Sequence, residues 1–371
     1  MAHAEMSARR AEAAASRHVA DLLARAGVEQ SDYDEAMECM RVSARVAVHF
    51  HPDRLGATHR TVAESLLDDG LYRSQFETGL SGGSVSAYPG GERDQWENRL
   101  FGGAYNKNGV TNAERPKYGA LELVRHPDGP IPRFGSCYFV LRQQVSHRTS
   151  FTFMGSESAL STERPGTLGR MRAVMAPLLA EISQGGTTAP PWPPFRAPTL
   201  GVPRLTVPLL LAILRELPLQ RLDVGNGMPG RVRDTCIEAQ VHGPIDFARD
   251  VELLVADPAF SATETGDVLR AISRRYAVHL QWHCGFRLAA NDVPDDFRGP
   301  EMPRIARRIA DPDGIVDAAV IGKAAAAMHR DPSAWIDRGT VAEASQHLKQ
   351  LWHVLVHYGS PASHRPTGHQ M

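Results

Sequence analysis

The pattern of apolar and polar residues divides the chain into helix-like and strand-like stretches. Residues 4–27 carry apolar side chains on one helical face and end at Gly27. Residues 33–45 are predicted to form a second helix. Glycine is common just past a helix end because it tolerates a left-handed backbone. The pattern therefore predicts a helical N-terminal region over residues 1–45.

After this region the pattern changes to a period of two. The run ARVAVHFHPD alternates apolar and polar residues before a proline, which is typical of a strand that enters a turn. A short helix is predicted from Thr61 to Asp69, because Thr61 and Glu64 have the spacing of a capping box and Gly70 follows. Gly-Gly pairs and a proline then surround a second helix, predicted from Arg93 to Phe101.

Strand-like and helix-like segments alternate through the rest of the chain. Strands are predicted at GALELV, SCYFVLRQQV, TSFTFM, CIEAQVHG and DVELLVAD. Helices are predicted at 166–183, at 207–217 and in VLRAISRRYAV. The run TTAPPWPPF fits neither regular structure and indicates a Pro-rich crossing at 185–203.

Together these elements predict an α+β protein with a mixed or antiparallel β core and helical insertions. The 371 residues suffice for one large domain or two smaller ones. We assign residues 46–290 to a core domain that contains the Pro-rich crossing, and residues 291–358 to a helical C-terminal region. The composition of residues 359–371 predicts a disordered tail.

The charge balance leaves no global field that would draw the chain to a polyanion. Lys and Arg number 41 and Asp and Glu number 42, so the formal net charge is -1. We therefore expect no nucleic-acid partner and no binding to acidic membranes. No stretch approaches the ~18 apolar residues of a membrane span, and the first residues lack the apolar core of a secretory signal. We expect synthesis in a cytoplasm.

The cysteines argue against two kinds of cross-link. Cys39, Cys137, Cys236 and Cys284 lie far apart, and none forms a CxxC pair. Neither a disulfide framework nor a thiolate zinc site has this spacing. We expect reduced, mostly buried thiols.

The segment HFHPDR is the first candidate for chemistry. His49 and His51 point to the same side of the predicted strand, and Asp53 and Arg54 follow at its end. Two imidazoles at this spacing can share a zinc ion in a metal-dependent hydrolase. The further ligands would come from elsewhere in the chain, for example His242, His279 or His283. A structural role for the two histidines stays open, as does a plain surface charge at Arg54.

The segment LYRSQFETG is the second candidate. Arg73 lies among hydroxyl, amide and carboxylate groups, and Gly79 lets the backbone turn or approach a ligand. The guanidinium fork matches a phosphate or a carboxylate in a bidentate manner. The alternative is a structural ion pair between Arg73 and Glu77.

Small hydroxyls and aromatic residues follow this segment. Ser84 and Ser86 leave room for a flat ring, on which Trp96, Phe101 or Tyr105 can pack. Core packing is the alternative for Trp96 and Phe101.

The loop RPKYG places a proline between two cations and then a tyrosine. Arg115, Lys117 and Tyr118 suit anion contact or stacking, and plain solvent-exposed charge is the alternative for the two cations.

The strand CIEAQVHG is the third candidate. Alternation sends Glu238 and Gln240 to one face, and Ile237, Ala239 and Val241 to the other. A carboxylate beside an amide on an otherwise apolar strand is costly to bury without partners or a function. A structural carboxylate held by backbone groups is the alternative.

The motifs VHFHPDR, LYRSQFETG, RDQWENRLFGGAY, RPKYGAL, PRFGSCYFVL and IEAQVHG occur in this order from Val48 onward. With this series the chain resembles a bacterial family long labelled only as a domain of unknown function, related to effectors that ADP-ribosylate ubiquitin on threonine. The resemblance covers most of the chain. It implies an ADP-ribosyltransferase-like fold for residues 46–290, a bacterial cytoplasm as the place of synthesis, and possible export as an effector without a cleavable signal.

The resemblance also implies roles for particular residues. Glu238 takes the place of the catalytic glutamate, although the order here is Glu-x-Gln, whereas the usual pair has the catalytic carboxylate second. Arg73 would contact the phosphates or ribose of NAD, with Arg54 as the rival. Three serines compete for the serine position of this fold: Ser74, Ser84 and Ser136.

The function that follows is mono-ADP-ribosylation of a protein acceptor, for which threonine of ubiquitin is the expected site. NAD is the donor substrate, and no metal is expected. The catalytic residues are Glu238, Arg73 and Gln240. The NAD-binding residues are His51, Arg54, Arg73, Ser74, Glu77, Ser84, Tyr118 and Ser136. A metal-dependent hydrolase with His49 and His51, and a non-catalytic binding module, are the alternatives; no oligomeric state is predicted.

Overall fold

The computed structural model describes residues 1–56, 58–80, 86–156, 163–185, 198–220 and 235–362. Within these residues a large mixed β-sheet is surrounded by helices, which makes the chain an α+β protein. The helices are α1 (Ala2–Arg25), α2 (Gln30–Ser43), α3 (Val62–Asp69), α4 (Gln75–Thr78), α5 (Glu92–Phe101), α6 (Arg172–Ser183), α7 (Val207–Glu216), α8 (Phe247–Asp250), α9 (Glu264–Tyr276), α10 (Met302–Ile309), α11 (Ala318–Arg330) and α12 (Val341–Tyr358).

The described strands are mostly short. They are β1 (Arg45–Phe50), β2 (Leu71–Tyr72), β3 (Lys117–Glu122), β4 (Cys137–Leu141), β5 (Thr149–Phe153), β6 (Gly166–Thr167), β7 (Ile237–Val241), β8 (Ile245–Asp246), β9 (Val251–Ala256), β10 (His279–Trp282), β11 (Leu288–Ala289) and β12 (Ile315–Val316). Eight of them form the main sheet in the order β10-β9-β4-β1-β3-β7-β5-β6. Neighbouring strands are antiparallel except β9 and β10, which are parallel. The prediction of a mixed or antiparallel β core is confirmed at this level.

The two faces of the sheet differ in polarity, because side chains alternate along each strand. One face packs against the helices in the main core and carries Val46, Val48, Phe139, Phe151, Ile237 and Ala239. The strand pairing places on the other face Tyr118, Ser150, Thr152, Glu238 and Gln240. A small apolar cluster on that second face consists of Ala47, Tyr138, Val140, Leu253 and Val255. The predicted alternation along CIEAQVHG is therefore confirmed.

The sheet opens between its two central strands. Pairing of β1 with β3 covers only Arg45–Ala47 and Ala120–Glu122, and the ladder stops before Val48 and Gly119. Beyond this point β1 continues to pair with β4, and β3 continues to pair with β7. The end of β1 and the beginning of β3 therefore diverge, and a cleft opens in the middle of the sheet.

A second, two-stranded sheet joins segments that are distant in sequence. Leu71 pairs with Asp246, and Tyr72 pairs with Ile245. The segment LYRSQFETG is thus attached directly after CIEAQVHG. The hydroxyl of Tyr72 also donates to the carbonyl of His49 (2.9 Å), which links the same segment to the end of β1.

The C-terminal helices pack beneath the end of β1. The indole of Trp352 on α12 contacts the ring of His51 edge-on, at 5.1 Å between ring centroids. Its Nε1 donates to the carbonyl of Pro132 (3.0 Å). Asp53 lies against Gly322 on α11, so closely that an added Cβ at Gly322 would collide with the carboxylate. The region predicted as helical after residue 290 is therefore part of the support of the segment HFHPDR.

Several local predictions are confirmed. Helix α3 begins with the capping box of Thr61 and Glu64 and ends at Gly70 in the left-handed conformation, as the sequence indicates. The helices predicted at Arg93–Phe101 and at 207–217 correspond to α5 and α7. None of the helices in the described residues has the length and apolar character of a membrane span.

One local prediction is wrong. The helix predicted at 166–183 begins only at Arg172, because Gly166 and Thr167 instead pair with β5 at the sheet edge. The first residues of the predicted disordered tail are held by backbone hydrogen bonds, with Ser360 paired to Arg287 and Ala362 donating to Cys284 (2.7 Å). Residues 363–371, and residues 186–197 of the Pro-rich crossing, lie outside the described residues.

Candidate functional site

A cavity of about 390 Å³ lies in the opening between β1 and β3. Its wall includes the end of β1, the beginning of β3, helices α3 and α4, and Glu238 on β7. A volume of several hundred Å³ with a few convergent polar groups is typical of a small-molecule site. The structure therefore brings the segment from Val48 to Gly119 together with the strand CIEAQVHG.

Most of the predicted site residues line this cavity. They are His49, His51, Arg54, Arg73, Ser74, Glu77, Tyr118 and Glu238. Gln240 lies behind Glu238, fully buried, and is not part of the cavity wall. Ser136 is buried at the start of β4 and does not reach the cavity, so its prediction as an NAD contact is not supported by its position. Ser84 lies outside the described residues.

Hydrogen bonds from Gln240 and Ser156 help to orient the carboxylate of Glu238. The amide of Gln240 donates from Nε2 to Oε1 of Glu238 (3.0 Å), and the backbone N–H of Ser156 donates to the same oxygen (3.2 Å). Because Gln240 is packed in the sheet, its amide fixes the position of the carboxylate. The reversed order Glu-x-Gln thus places the carboxylate at the cavity and the amide behind it.

Gln240 is itself held by a chain of hydrogen bonds. Its Nε2 must face the acceptor Glu238, so its Oε1 accepts from the hydroxyl of Ser150 (3.0 Å). Because the hydroxyl proton of Ser150 is engaged with Gln240, Ser150 Oγ can only accept from His242. Nε2 of His242 therefore donates to Ser150 Oγ (3.0 Å). Nδ1 of His242 then accepts from the hydroxyl of Tyr105. The chain runs in one direction, from Tyr105 to Glu238.

The pKa values agree with this direction. Burial, with smaller contributions from the N-terminal ammonium and Arg148, lowers the pKa of His242 to about 3. Burial raises the pKa of Tyr105 to about 12, with help from nearby Glu97 and Glu114. At neutral pH, His242 is therefore uncharged and Tyr105 keeps its proton, as the chain requires.

Arg73 occupies the rim of the cavity rather than its interior. Its side chain is 43% exposed, and its Nε lies 2.7 Å from Asp69 and its Nη1 lies 3.7 Å from Glu77. The alternative of a structural ion pair is thus present in the structure. This ion pair joins residues of neighbouring turns, from Asp69 at the end of α3 to Glu77 on α4.

Arg54 is more enclosed than Arg73. Burial lowers its pKa, against the opposing effect of Asp53, and its side chain lines the cavity beside His51. A guanidinium in a partly dry wall interacts with an anion more strongly than one at the rim. Of Arg73 and Arg54, the two residues predicted as candidates for a phosphate contact, Arg54 is therefore better placed to bind an anion.

The histidines of HFHPDR occupy different environments. Nδ1 of His49 donates to the carbonyl of Gly135 (3.0 Å), and its ring stacks on Tyr138 at 4.8 Å between centroids. Burial lowers the pKa of His51 well below its usual value, and Arg54 lowers it further. In the part of the chain that the structure describes, no group of three His, Cys, Asp or Glu side chains is arranged to hold a metal ion. The hydrogen bond and the ring contact of His49 correspond to the structural role that the sequence left open beside a zinc site.

Ser74 and Glu77 shape the turn that carries Arg73. The hydroxyl of Ser74 donates to the carbonyl of Asn112 (2.9 Å), and the carboxylate of Glu77 accepts from the backbone N–H of Ser74 (2.7 Å). The backbone N–H of Ser74, the residue that caps α4, is therefore satisfied by the helix itself. Both residues also line the cavity, so this turn forms part of its wall.

Arg115 and Lys117 are buried, so solvent-exposed charge is the wrong interpretation for both. Arg115 bridges Asp94 (2.7 Å) and Glu97 (3.0 Å). Nζ of Lys117 donates to backbone carbonyls, including that of Arg115 (3.0 Å), and burial lowers its pKa. Phe101 is core, as the alternative reading had it.

Tyr118 connects this buried network to the cavity. Its hydroxyl donates to Glu97 (2.9 Å), whose pKa is raised by burial despite the hydrogen bonds from Tyr118 and Arg115. The guanidinium of Arg93 lies over the ring of Tyr118, at 4.4 Å from its centroid. Arg93 was not among the predicted site residues, although its spacing of three residues from Trp96 on a helix is a signal for a stacked pair.

The structure is thus that of an α+β protein whose main sheet is split by a cavity with several polar side chains in its wall. Residues 45–358 match the model of the DUF3626 family, which is described as a protein of unknown function. The match spans most of the chain, and the chain belongs to this family. No curated protein matches the chain significantly.

Proposed function

We propose that the protein is a mono-ADP-ribosyltransferase with an ADP-ribosyltransferase-like fold, which uses NAD as a substrate and modifies a protein acceptor. The observation that carries this proposal is Glu238, a carboxylate fixed by Gln240 and Ser156 at the wall of the cleft between β1 and β3. Arg54 lines the same cavity. The motif resemblance supports threonine of ubiquitin as the acceptor.

Cleavage of the nicotinamide–ribose bond requires a fixed carboxylate near the ribose rather than a general acid for the leaving group. The bond between the ribose C1′ and the nicotinamide nitrogen breaks, and its electron pair leaves with the neutral nicotinamide. The remaining oxocarbenium-like centre is stabilised by a carboxylate close to the ribose. Glu238 supplies this charge, and the chain from Tyr105 keeps its orientation constant through the reaction.

The acceptor hydroxyl then attacks C1′ and gives its proton to a base. Glu77 is engaged by the backbone N–H of Ser74 (2.7 Å), and the lowered pKa of His51 makes it a weak proton acceptor. Glu238 is therefore the best-placed of the three candidate bases. In this proposal Arg54 binds the phosphates, and Arg73 lies at the rim of the cavity.

A nicotinamide-release assay tests the first half of this reaction. Purified protein with NAD is expected to release nicotinamide, and Glu238→Gln is expected to lower kcat by at least about 100-fold, because the amide carries no charge. Glu252→Gln is the matched control, since Glu252 is a half-buried strand glutamate on β9 that pairs with Arg45 outside the cavity. We expect it to retain activity.

The same assay separates the alternatives. A metal-dependent hydrolase would lose activity with a chelator, whereas the proposed transferase is indifferent to chelation. A non-catalytic module would bind NAD without releasing nicotinamide. Absence of nicotinamide release with every protein acceptor offered would refute the proposal, and full activity in Glu238→Gln would refute the assignment of the carboxylate.

A further inference from the structure

Arg93 on α5 is a buried cation in the wall of the cavity. Its exposed fraction is 8%, and it lines the cavity together with Tyr118 and Glu238. Its Nε is buried without an acceptor. Within the described chain, no hydrogen bond or direct ion pair joins this guanidinium to another residue.

Such an arginine is unusual, because buried donors and charges are nearly always satisfied. Two aromatic rings flank the guanidinium, Tyr118 at 4.4 Å and Trp96 at 4.8 Å from its carbon. These rings offset part of the cost of removing the charge from water and fix the plane of the group. They accept none of its N–H hydrogen bonds, which remain available to a ligand.

The nearest carboxylates do not provide hydrogen-bond acceptors for the guanidinium of Arg93. Asp94 and Glu97 are both bound by Arg115, and Glu97 also accepts from Tyr118. The charge of Glu97 acts on Arg93 through space, without a hydrogen bond between them. The negative charge of Glu97 therefore explains why a cation is tolerated at this position. It does not explain why the N–H donors of the guanidinium are buried at a cavity without acceptors.

We propose that Arg93 is a binding residue for a phosphate group of the ligand that occupies the cavity. The planar fork matches two phosphate oxygens, and the stacked rings hold it ready for them. In the proposed transferase this phosphate belongs to the pyrophosphate of NAD, and this assignment rests on the proposed function. The phosphate site itself does not depend on it.

Calorimetric titration with three compounds tests the proposal. ADP-ribose carries the pyrophosphate, inorganic pyrophosphate carries only that group, and nicotinamide riboside lacks phosphate. We expect Arg93→Gln to weaken the binding of ADP-ribose and of pyrophosphate by about tenfold or more, because charged hydrogen bonds are lost. Binding of nicotinamide riboside is expected to stay within about twofold of the wild type.

Two further variants separate binding from folding. Arg93→Lys keeps the charge but loses the fork, and an intermediate affinity is expected. Arg99→Gln removes an exposed arginine from the same helix and is expected to change no affinity. Thermal melts of all variants report any loss of stability.

The outcomes are distinguishable. If Arg93→Gln melts earlier but binds pyrophosphate and ADP-ribose like the wild type, or if the wild type binds neither compound, the phosphate site is refuted. If pyrophosphate binding depends on Arg93 while NAD releases no nicotinamide with any acceptor, the phosphate site stands and the proposed function fails.

Discussion

At the scale of single residues, Gly119 stands at the point where the sheet opens. An added Cβ at this position would collide with the carbonyl oxygen of Ala47 and approach the side chain of Val48. The absence of a side chain at Gly119 therefore lets β3 pass β1 closely just before the two strands diverge. The cleft depends on this close approach.

We predict that Gly119→Ala destabilises the protein. The new methyl group would push against backbone that is part of two strand ladders, and overpacking of this kind costs about 1–3 kcal/mol. Chemical denaturation measures the change in the free energy of unfolding. Gly169→Ala is the control, because no atom lies within 4 Å of a Cβ added there. A loss in Gly119→Ala no larger than in the control would contradict the close approach.

The sequence predicted the carboxylate of the site but missed one of its cations. Glu238 was found because alternation along a short strand fixes the face of each side chain. Arg93 was missed because its helix has an ordinary mixture of charged and apolar residues. Its importance arises from Tyr118, which lies 25 positions away and meets it only through the tertiary fold.

At the scale of elements, strands β5 and β7 carry the hydrogen-bond chain. Ser150 pairs directly with Gln240, and Thr152 pairs directly with Glu238. The register of this one pair of strands therefore sets the positions of the four side chains. A slip of β7 by one residue would turn Glu238 and Gln240 to the apolar face, while Ser150 and Thr152 on β5 would stay in place.

We predict that Ser150→Ala lowers kcat for nicotinamide release about tenfold and leaves KM for NAD nearly unchanged. The variant removes the hydrogen bond that orients the amide of Gln240, which acts on Glu238 rather than on NAD. Steady-state kinetics measure both constants. Ser150→Thr keeps the hydroxyl and is expected to restore most of kcat.

Ser146→Ala is the matched control for this variant. Ser146 is also a fully buried serine, but its hydroxyl donates to the carbonyl of Ala44 (3.2 Å), away from Glu238. An equal loss of kcat in both variants would indicate a general effect of removing a buried hydroxyl, and the orienting role of Ser150 would be wrong.

Local sequence predicted most of these elements but not their order in the sheet. Alternation and capping depend on residues close in sequence, and for this reason α3 and β7 were found near their observed bounds. The sequence carried no comparable signal for Gly166 and Thr167, which form a strand only because β5 offers a free edge. The opening between β1 and β3 likewise has no local signature.

At the scale of the whole molecule, the C-terminal helices stabilise the turn after β1. Asp53 lies in that turn against Gly322, and burial raises its pKa from 3.8 to about 7. Arg54 lowers this pKa, whereas Asp257 and Asp317 raise it. The sequence placed Asp53 beside Arg54 but did not indicate the carboxylates or the helix that surround it.

The raised pKa of Asp53 implies a stability that depends on pH. The carboxyl is protonated in both states below about pH 4, and as pH rises the unfolded chain ionises first. The contribution of Asp53 to stability is therefore fully present at low pH and is lost as pH rises toward 7. We predict that the stability of Asp53→Asn relative to the wild type increases between pH 4 and 7 and is constant above that range.

Denaturant unfolding at a series of pH values measures this difference. The comparison between two variants removes the opposite effect of buried neutral histidines such as His242, which destabilise both proteins equally in acid. Asp21→Asn, on the exposed face of α1, is the control and is expected to show no such trend. A difference for Asp53→Asn that is independent of pH would contradict the raised pKa.

We propose that Glu238 in the split sheet serves the transfer of ADP-ribose from NAD to a protein. Intact-mass spectrometry of ubiquitin, after incubation with the protein and NAD, tests this most directly. We expect a mass increase of one ADP-ribose with the wild type and with Glu252→Gln, and none with Glu238→Gln. Unmodified ubiquitin in every sample would contradict the assignment of ubiquitin as the acceptor. If nicotinamide release is also absent, the proposed transferase activity would be contradicted as well.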